Sequence, residues 1–167
     1  MITSNPETTI SLAVAQRSLG DPNLRYPLFP PLVAGCPQTS TAELQYPLAV
    51  AYDYEAVPPD FFRRAPGHGI GRWAELLPPL ADGLSMGEGG TPLVSAPRLA
   101  EWGGLGNEVY IKDESRNPTG SHKDRLNLCT VSSAVLSGAP GVTVASSGNH
   151  GAAAAAYACL LYTSRCV

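Results

Sequence analysis

The sequence predicts an α/β fold that follows a proline-rich N-terminal arm, and three observations lead to this prediction. Hydrophobic residues make up 44% of the 167 residues and charged residues 15%, a composition unlike that of disordered chains. From residue 86 onward, strand and helix patterns alternate, as in parallel βαβα units. Before residue 86, prolines recur at short intervals and interrupt regular structure.

Two short elements are predicted within the arm. Residues 48–54 read LAVAYDY, a β-rich segment that predicts a strand. Residues 72–77 read RWAELL, which predicts one or two helical turns, and Pro78 and Pro79 end them. The rest of the arm is expected to be irregular.

The region after the arm carries the longer elements. A helix over residues 121–137 is predicted from Ser121 as a capping residue, Asp124 in the first turn and Gly138 after the end. The other predicted elements are a helix at 97–102, a strand at 109–112, a polar loop at 113–120, a strand at 141–146, a tight loop at 147–151 and an alanine-rich helix after it.

Composition and charge exclude several classes of function. The net charge is −3 and no basic stripe is present, so neither a nucleic-acid partner nor an anionic membrane surface is predicted. No apolar run approaches the ~20 residues that a membrane span requires, and no positively charged segment precedes the apolar residues 10–15. The four cysteines form no CxxC pair, and Cys36 alone cannot make a four-ligand zinc site. Free thiols, a cytoplasmic location and no metal are therefore expected.

The segment 117–125, NPTGSHKDR, places Lys123 in the first turn of the predicted helix. The partial positive charge of a helix N-terminus disfavours an ammonium group, so this lysine is biased towards the neutral amine. A neutral amine is the form that makes a Schiff base with a carbonyl group. Taken alone, a lysine at a helix start is far more often a solvated surface residue, so this segment by itself does not establish such chemistry.

The segment 146–151, SSGNHG, follows the predicted strand and opens the last helix. Backbone N–H groups at such a junction bind carboxylates or phosphates. Asn149 adds a side-chain donor and acceptor at the tip of the loop. A plain strand-to-helix turn has a similar composition, so this segment alone does not establish a binding site.

The two segments together resemble the fold-type-II pyridoxal-phosphate-dependent enzymes, the tryptophan synthase β-like family. NPTGSHKDR is similar to the lysine motif of that family, and SSGNHG is similar to its asparagine loop. Upstream, GEGGTPL at residues 87–93 and YIKDE at residues 110–114 resemble the threonine synthase branch. The resemblance implies the tryptophan synthase β-like fold, present here in part.

The resemblance also implies roles for individual residues around a pyridoxal 5'-phosphate cofactor. Lys123 would form the Schiff base and move a proton at the substrate α-carbon. Asn149 would hydrogen-bond the ring oxygen of the cofactor, and His122 would contact its phosphate. The remaining loop residues would hold the substrate α-carboxylate: Ser146, Ser147, Gly148 and His150.

The implied activity is that of a lyase acting on a small amino acid, threonine synthase-like, which converts O-phosphohomoserine to threonine, in a homodimer. Two residues depart from that branch, because His122 stands where it usually has Phe and His150 where it usually has Thr. A threonine or serine dehydratase, or a diaminopropionate ammonia-lyase-like enzyme, is therefore an open alternative. A non-catalytic binding module with the same fold is another.

The last nine residues are interpreted as a sequencing-adapter artefact. Residues 162–167 can be encoded by TAC ACA TCT AGA TGT GTA, a string that is its own reverse complement. The expected organisation is an arm at 1–85, the N-terminal part of a catalytic domain at 86–158 and the adapter at 159–167. The natural chain would then continue beyond residue 158 and supply the family's second glycine-rich loop, which binds the phosphate. The 167-residue chain alone is expected to be inactive.

Overall fold

A computed structural model describes residues 11–63 and 69–161. The strands of this part are β1 (Ala13–Ser18), β2 (Arg25–Tyr26), β3 (Leu48–Tyr52), β4 (Leu93–Ser95) and β5 (Tyr110–Lys112). The α-helices are α1 (Pro97–Trp102), α2 (Lys123–Leu136) and α3 (Asn149–Leu161). Short 3-10 helices occupy Phe61–Arg63, Ile70–Leu76 and Glu114–Arg116.

The arm contains a three-stranded antiparallel sheet in the order β2-β1-β3. Gln16 at its centre lies opposite Tyr26 on one side and Val50 on the other. The strand predicted at 48–54 is confirmed as β3, whereas β1 and β2 were not predicted. The arm is thus more regular than its proline content indicates.

A buried glutamine organises the proline-rich segment beside this sheet. The Gln16 Nε2 donates to the carbonyls of Pro27 at 2.6 Å and Pro30 at 3.0 Å, and its Oε1 accepts from the Leu32 N–H at 2.8 Å. Proline has no N–H, so a segment rich in it offers fewer backbone partners for its own carbonyls. The Gln16 side chain satisfies three such backbone groups at once.

The second sheet pairs β4 with β5, and Val94 lies opposite Ile111. This pairing is antiparallel, as is the pairing in the first sheet, so the expected parallel sheet is not found in the described part of the chain. Residues 141–146 form no strand there, which corrects the prediction of a strand at that position. A segment with β propensity becomes a strand only where a neighbouring strand offers a free edge, and no described strand pairs with it.

The helices follow the prediction closely. α1 has the predicted bounds with Pro97 at its start, and α3 occupies the predicted alanine-rich segment. α2 ends before Gly138, whose φ of 68° is easily reached only by glycine and whose N–H donates to the Val135 carbonyl at 2.9 Å. Of the nine residues interpreted as an adapter, three (159–161) lie in α3 and the others lie outside the described residues.

One hydrophobic core joins the two long helices to the segment before β4. Leu128 and Val131 of α2 and Tyr157 of α3 are at most 2% exposed. Full burial of a Leu or Val side chain stabilises the fold by about 1.5–3 kcal/mol. The other buried members of this core are Ile70, Leu80, Ala81 and Leu84. The core therefore fixes α2 and α3 side by side. Across residues 11–63 and 69–161, no helix is long and apolar enough to cross a membrane.

Candidate active site

Lys123 is the first residue of α2, and its side chain is half-buried. The Ser121 Oγ accepts a hydrogen bond from the Lys123 N–H at 3.2 Å, so the hydroxyl of Ser121 satisfies one of the unpaired N–H groups at the helix start. The capping position itself belongs to His122, which makes no side-chain capping bond. The helix thus begins two residues later than predicted, with Lys123 at its first position.

Asp124 anchors the loop that precedes Lys123. Its carboxylate is fully buried and accepts hydrogen bonds from both the N–H of Thr119 at 2.8 Å and the Thr119 hydroxyl at 2.7 Å. A carboxylate in the first turn is also favoured by the positive end of the helix dipole. The polar loop is therefore folded back onto the helix start, and this restricts where Lys123 can lie.

The Lys123 amine is the more available of the two lysine amines in this chain. The other lysine, Lys112, donates from its Nζ to the backbone carbonyl of Thr91. Within residues 11–63 and 69–161, no hydrogen bond or ion pair engages the Lys123 Nζ. An amine that no neighbouring group engages is available to react with a carbonyl group.

The loop before α3, residues 146–148, lies directly against the first turn of α3. A Cβ placed on Gly151 would come within 2.6 Å of the Ser146 carbonyl oxygen, so only glycine permits this approach. The Ser146 Oγ accepts from the Gly148 N–H at 3.3 Å. The residues predicted to bind substrate or cofactor in this loop are exposed: Ser146, Ser147, Gly148 and Asn149.

Asn127 joins the lysine motif to the asparagine loop. Its Nδ2 donates to the Lys123 carbonyl at 2.9 Å and lies 3.1 Å from the Nδ1 of His150. The two predicted motifs are therefore brought together where α2 packs on α3. Asn127 was not predicted, although a polar residue one helical turn after the lysine, among apolar ones, is a signal that could have pointed to it. The His122 side chain is exposed, and no hydrogen bond within the described residues joins it to the loop.

An ion pair ties the start of α2 to the upstream segments. The Glu114 carboxylate accepts from the Arg125 Nε at 2.8 Å and Nη2 at 2.9 Å, and also from Thr91 and Asn117. These hydrogen bonds, that from Arg125 foremost, outweigh the effect of burial and lower the pKa of Glu114 to about 2. The bidentate geometry fixes α2 relative to β4 and β5.

Glu88 fixes α3 to an upstream segment, as Glu114 does for α2. Its side chain is fully buried and accepts hydrogen bonds from the Ser85 hydroxyl at 2.9 Å, the Met86 N–H at 3.0 Å and the Tyr157 hydroxyl at 2.5 Å. Burial and the Glu88 carboxylate raise the pKa of Tyr157, so the phenol stays a hydrogen-bond donor. The glycine-rich segment 87–93 was noted in the sequence for its resemblance to the threonine synthase branch. In the structure it is bound to α3 through the hydrogen bond between Glu88 and Tyr157.

Two of the described cysteines, Cys36 and Cys129, are free thiols, as predicted. Burial raises the pKa of Cys129 to about 11. Burial also acts to raise the pKa of Cys36, but hydrogen bonds with Ser18, Thr39 and Tyr26 lower it to about 6. Cys36 lies in the interior of the arm, and none of these partners belongs to the lysine motif or the loop. Among the described residues, no group of three His, Cys, Asp or Glu side chains is placed to hold a metal ion.

The groups available around Lys123 fit pyridoxal phosphate. An amine matches the aldehyde of this cofactor, and the exposed Asn149 amide matches its ring oxygen. The N–H groups at the start of the 13-residue α3 suit an anionic group. Beside them, a cavity of about 180 Å³ is lined by residues that include Asn127, Thr143 and His150.

Comparison with known proteins defines the class. Residues 84–167, just over half of the chain, match the profile of a family described as pyridoxal-phosphate dependent enzyme. The chain belongs to this family, which carries the tryptophan synthase β-like fold implied by the two motifs.

Threonine synthases are among the similar proteins. That of Methanosarcina acetivorans is 40% identical over 111 residues, which are 66% of this chain and 27% of that protein. That of Mycobacterium leprae is 42% identical over 95 residues, 52% of this chain and 26% of that protein. That of Synechocystis is 49% identical over 75 residues, 45% of this chain and 20% of that protein. The chain thus spans about a quarter of the length of these relatives.

Proposed function

We propose that the protein to which this chain belongs is a pyridoxal-phosphate-dependent lyase with threonine synthase-like activity, converting O-phosphohomoserine to threonine. The observation that carries the proposal is the Lys123 amine, which has no acidic partner in the described chain and whose helix is joined through Asn127 to His150. His150 directly follows Asn149 in the chain, and this supports a role for the Asn149 amide at the same site. The similarity to threonine synthases supports the choice of substrate.

Each residue of the site has a chemical task in this proposal. When bound, the cofactor acts as an electron sink for charge that develops at the substrate α-carbon. Lys123 would hold the cofactor through its aldehyde carbon and carry a proton to and from the α-carbon. Asn149 would orient the ring through its oxygen, and His122 would contact the phosphate. The α-carboxylate of the substrate would be held by Ser146, Ser147, Gly148 and His150.

The electrostatics of the two helix starts favour these anionic groups. Lys123 begins α2 and Asn149 begins α3, and the Asn127 amide links these two positive helix ends. Each helix end stabilises a nearby negative charge by about 0.3–1 kcal/mol, and more where water is excluded. A substrate carboxylate and a cofactor phosphate are therefore both suited to this place, whereas a cationic ligand is not.

The imidazole of His150 favours one alternative substrate class. It lies half-buried at the second position of α3, where the threonine synthase branch usually has a threonine. An imidazole can donate to a carboxylate as the hydroxyl does, but it is larger. A dehydratase or ammonia-lyase acting on serine, threonine or a diamino acid is the second candidate function.

The test is an assay of a longer protein that contains this chain. We expect phosphate and threonine to be released from O-phosphohomoserine, and Lys123→Ala to abolish the reaction. Lys112→Arg is the matched control, because it removes the other lysine but keeps a donor to Thr91. Oxoacid formation from serine or threonine, without phosphate release from O-phosphohomoserine, would select the dehydratase instead. Turnover that survives Lys123→Ala would contradict the role of Lys123 in both enzymes. Cofactor binding without turnover of any of these substrates would select the binding module.

We also propose that the longer protein is a homodimer, on the family resemblance, and cytoplasmic, on the free thiols that the cysteine pattern predicts. Light scattering of the purified protein tests the first statement, since a monomer at micromolar concentration would contradict it. Fractionation of cells that express the protein tests the second.

A further inference from the structure

The orientation of the Asn127 side chain follows from its two hydrogen bonds. The amide atom 2.9 Å from the Lys123 carbonyl oxygen must be the NH₂ nitrogen, because a carbonyl oxygen only accepts. Asn127 is 1% exposed, so its amide cannot rotate to water without leaving a buried donor unpaired. The NH₂ group is therefore fixed at the boundary between α2 and α3.

The same NH₂ group determines which nitrogen of His150 carries the proton. The Asn127 Nδ2 lies 3.1 Å from the His150 Nδ1, and two N–H groups cannot bond to each other. The Nδ1 must therefore accept, which places the single proton of the neutral imidazole on Nε2.

We propose that Asn127 is a positioning residue that holds His150 as the Nε2-protonated tautomer, so that the ring donates a hydrogen bond to the ligand. The identity of the ligand, the α-carboxylate of the amino-acid substrate, rests on the proposed function. A carboxylate accepts hydrogen bonds and offers none, so the opposite tautomer would turn a ring lone pair towards it. Asn127 does not touch the substrate in this account and acts only through His150.

The Asn127 amide also contacts the backbone of Lys123. Because one amide binds both the Lys123 carbonyl and the His150 ring, a buried side chain links the first turn of α2 to the start of α3. Loss of the Asn127 amide should therefore disturb the ring of His150 while the remaining hydrogen bonds of the lysine loop, from Thr119 to Asp124, stay in place.

The tautomer is tested directly by NMR of the 167-residue chain with ¹⁵N-labelled histidine. Long-range ¹H–¹⁵N spectra at a pH where the rings are neutral distinguish protonated from bare ring nitrogens. The chain has three histidines, and loss of a signal in His150→Gln assigns the ring. We expect a bare Nδ1 and a protonated Nε2. A protonated Nδ1, or an even mixture of both forms, would overturn the proposal.

Variants test whether Asn127 is the cause. Asn127→Leu should yield a mixture of tautomers, and Asn127→Asp, which presents an acceptor, should move the proton to Nδ1. Ser132→Ala is the control, since Ser132 is equally buried on α2 but accepts from the Ala81 N–H and not from α3. This control should keep the original tautomer. A His150 spectrum in Asn127→Leu identical to that of the unmodified chain would overturn the role of Asn127.

In the longer protein, Asn127→Asp should raise the KM for the amino-acid substrate about tenfold or more, with a smaller change in kcat, as expected for a lost hydrogen bond to a charged group. An unchanged KM would show that the ring does not serve the carboxylate. If the longer protein has no lyase activity, the proposed function fails, yet the NMR result still decides the tautomer.

Discussion

Tyr157 of α3 donates a 2.5 Å hydrogen bond to the fully buried carboxylate of Glu88, 69 residues earlier in the chain. This contact holds the glycine-rich segment 87–93 against α3, the helix that begins with Asn149 and His150. A buried carboxylate is costly unless its oxygens are hydrogen-bonded, and here a phenol, a hydroxyl and a backbone N–H share that task. The position of α3 at the site thus depends on a polar contact in the core.

Removal of the phenol should weaken the fold substantially. Tyr157→Phe removes the shortest hydrogen bond to Glu88. We expect the free energy of unfolding to fall by about 1–3 kcal/mol. Urea denaturation of the chain measures the loss. Tyr110→Phe is the matched control, because Tyr110 donates at 2.7 Å to an exposed carboxylate, that of Glu108. Its effect should stay within about 0.5 kcal/mol. Equal effects of the two variants would show that burial of Glu88 does not matter.

The contact between Gly151 and the loop predicts a reversal of the usual effect of alanine in a helix. Alanine is favoured over glycine inside a helix by about 1 kcal/mol. At Gly151, however, the new Cβ would meet the Ser146 carbonyl at 2.6 Å, and backbone cannot move aside cheaply. We expect Gly151→Ala to destabilise the chain by about 1–3 kcal/mol and, in the longer protein, to weaken cofactor retention.

A control for this variant lies in the preceding segment. A Cβ added to Gly141 would meet no atom within 4 Å, so Gly141→Ala should be nearly neutral. The two variants are compared by urea denaturation and by the amount of cofactor that survives gel filtration. A Gly151→Ala protein as stable as Gly141→Ala, with full cofactor retention, would mean that the loop does not lie on the helix as described.

The ion pair of Glu114 and Arg125 predicts a specific pH dependence. The pKa of Glu114 is lowered from 4.5 to about 2, so its contribution to stability is complete above the ordinary value and is lost as the pH falls towards 2. Glu114→Gln, which lacks the charge, should be less stable than the unmodified chain at neutral pH. The difference should shrink as the pH falls below about 4.5. Urea midpoints between pH 7 and pH 3 measure it, and a difference that stays constant over this range would contradict the assignment.

The helices could be predicted from the sequence because their signals are local. Pro97 fixes the start of α1, and Gly138 fixes the end of α2 through its own backbone conformation. β3 and β5 were predicted from short apolar runs in the same way. The lysine motif and the asparagine loop were recognised as stretches of consecutive residues, so no knowledge of the fold was needed to find them.

The missed features all depend on residues distant in sequence. β1 becomes a strand because residues 48–52 lie beside it, and the Gln16 side chain satisfies backbone groups 11 to 16 residues further along. The pairing of Asn127 with His150 requires that α2 and α3 pack side by side. Conversely, residues 141–146 have β propensity but no described strand beside them. The local signal therefore predicted a strand that does not form in the described chain.

Reductive labelling tests directly whether Lys123 is the cofactor-binding lysine. A longer protein that contains this chain is loaded with pyridoxal phosphate, reduced with borohydride and mapped by peptide mass spectrometry. Lys112 and Lys123 are the two lysines of the chain, so each serves as the internal comparison for the other. We expect a stoichiometric label on the peptide that carries Lys123 and none on the peptide that carries Lys112. A label on Lys112, an equal label on both lysines, or no label on Lys123 would contradict this assignment.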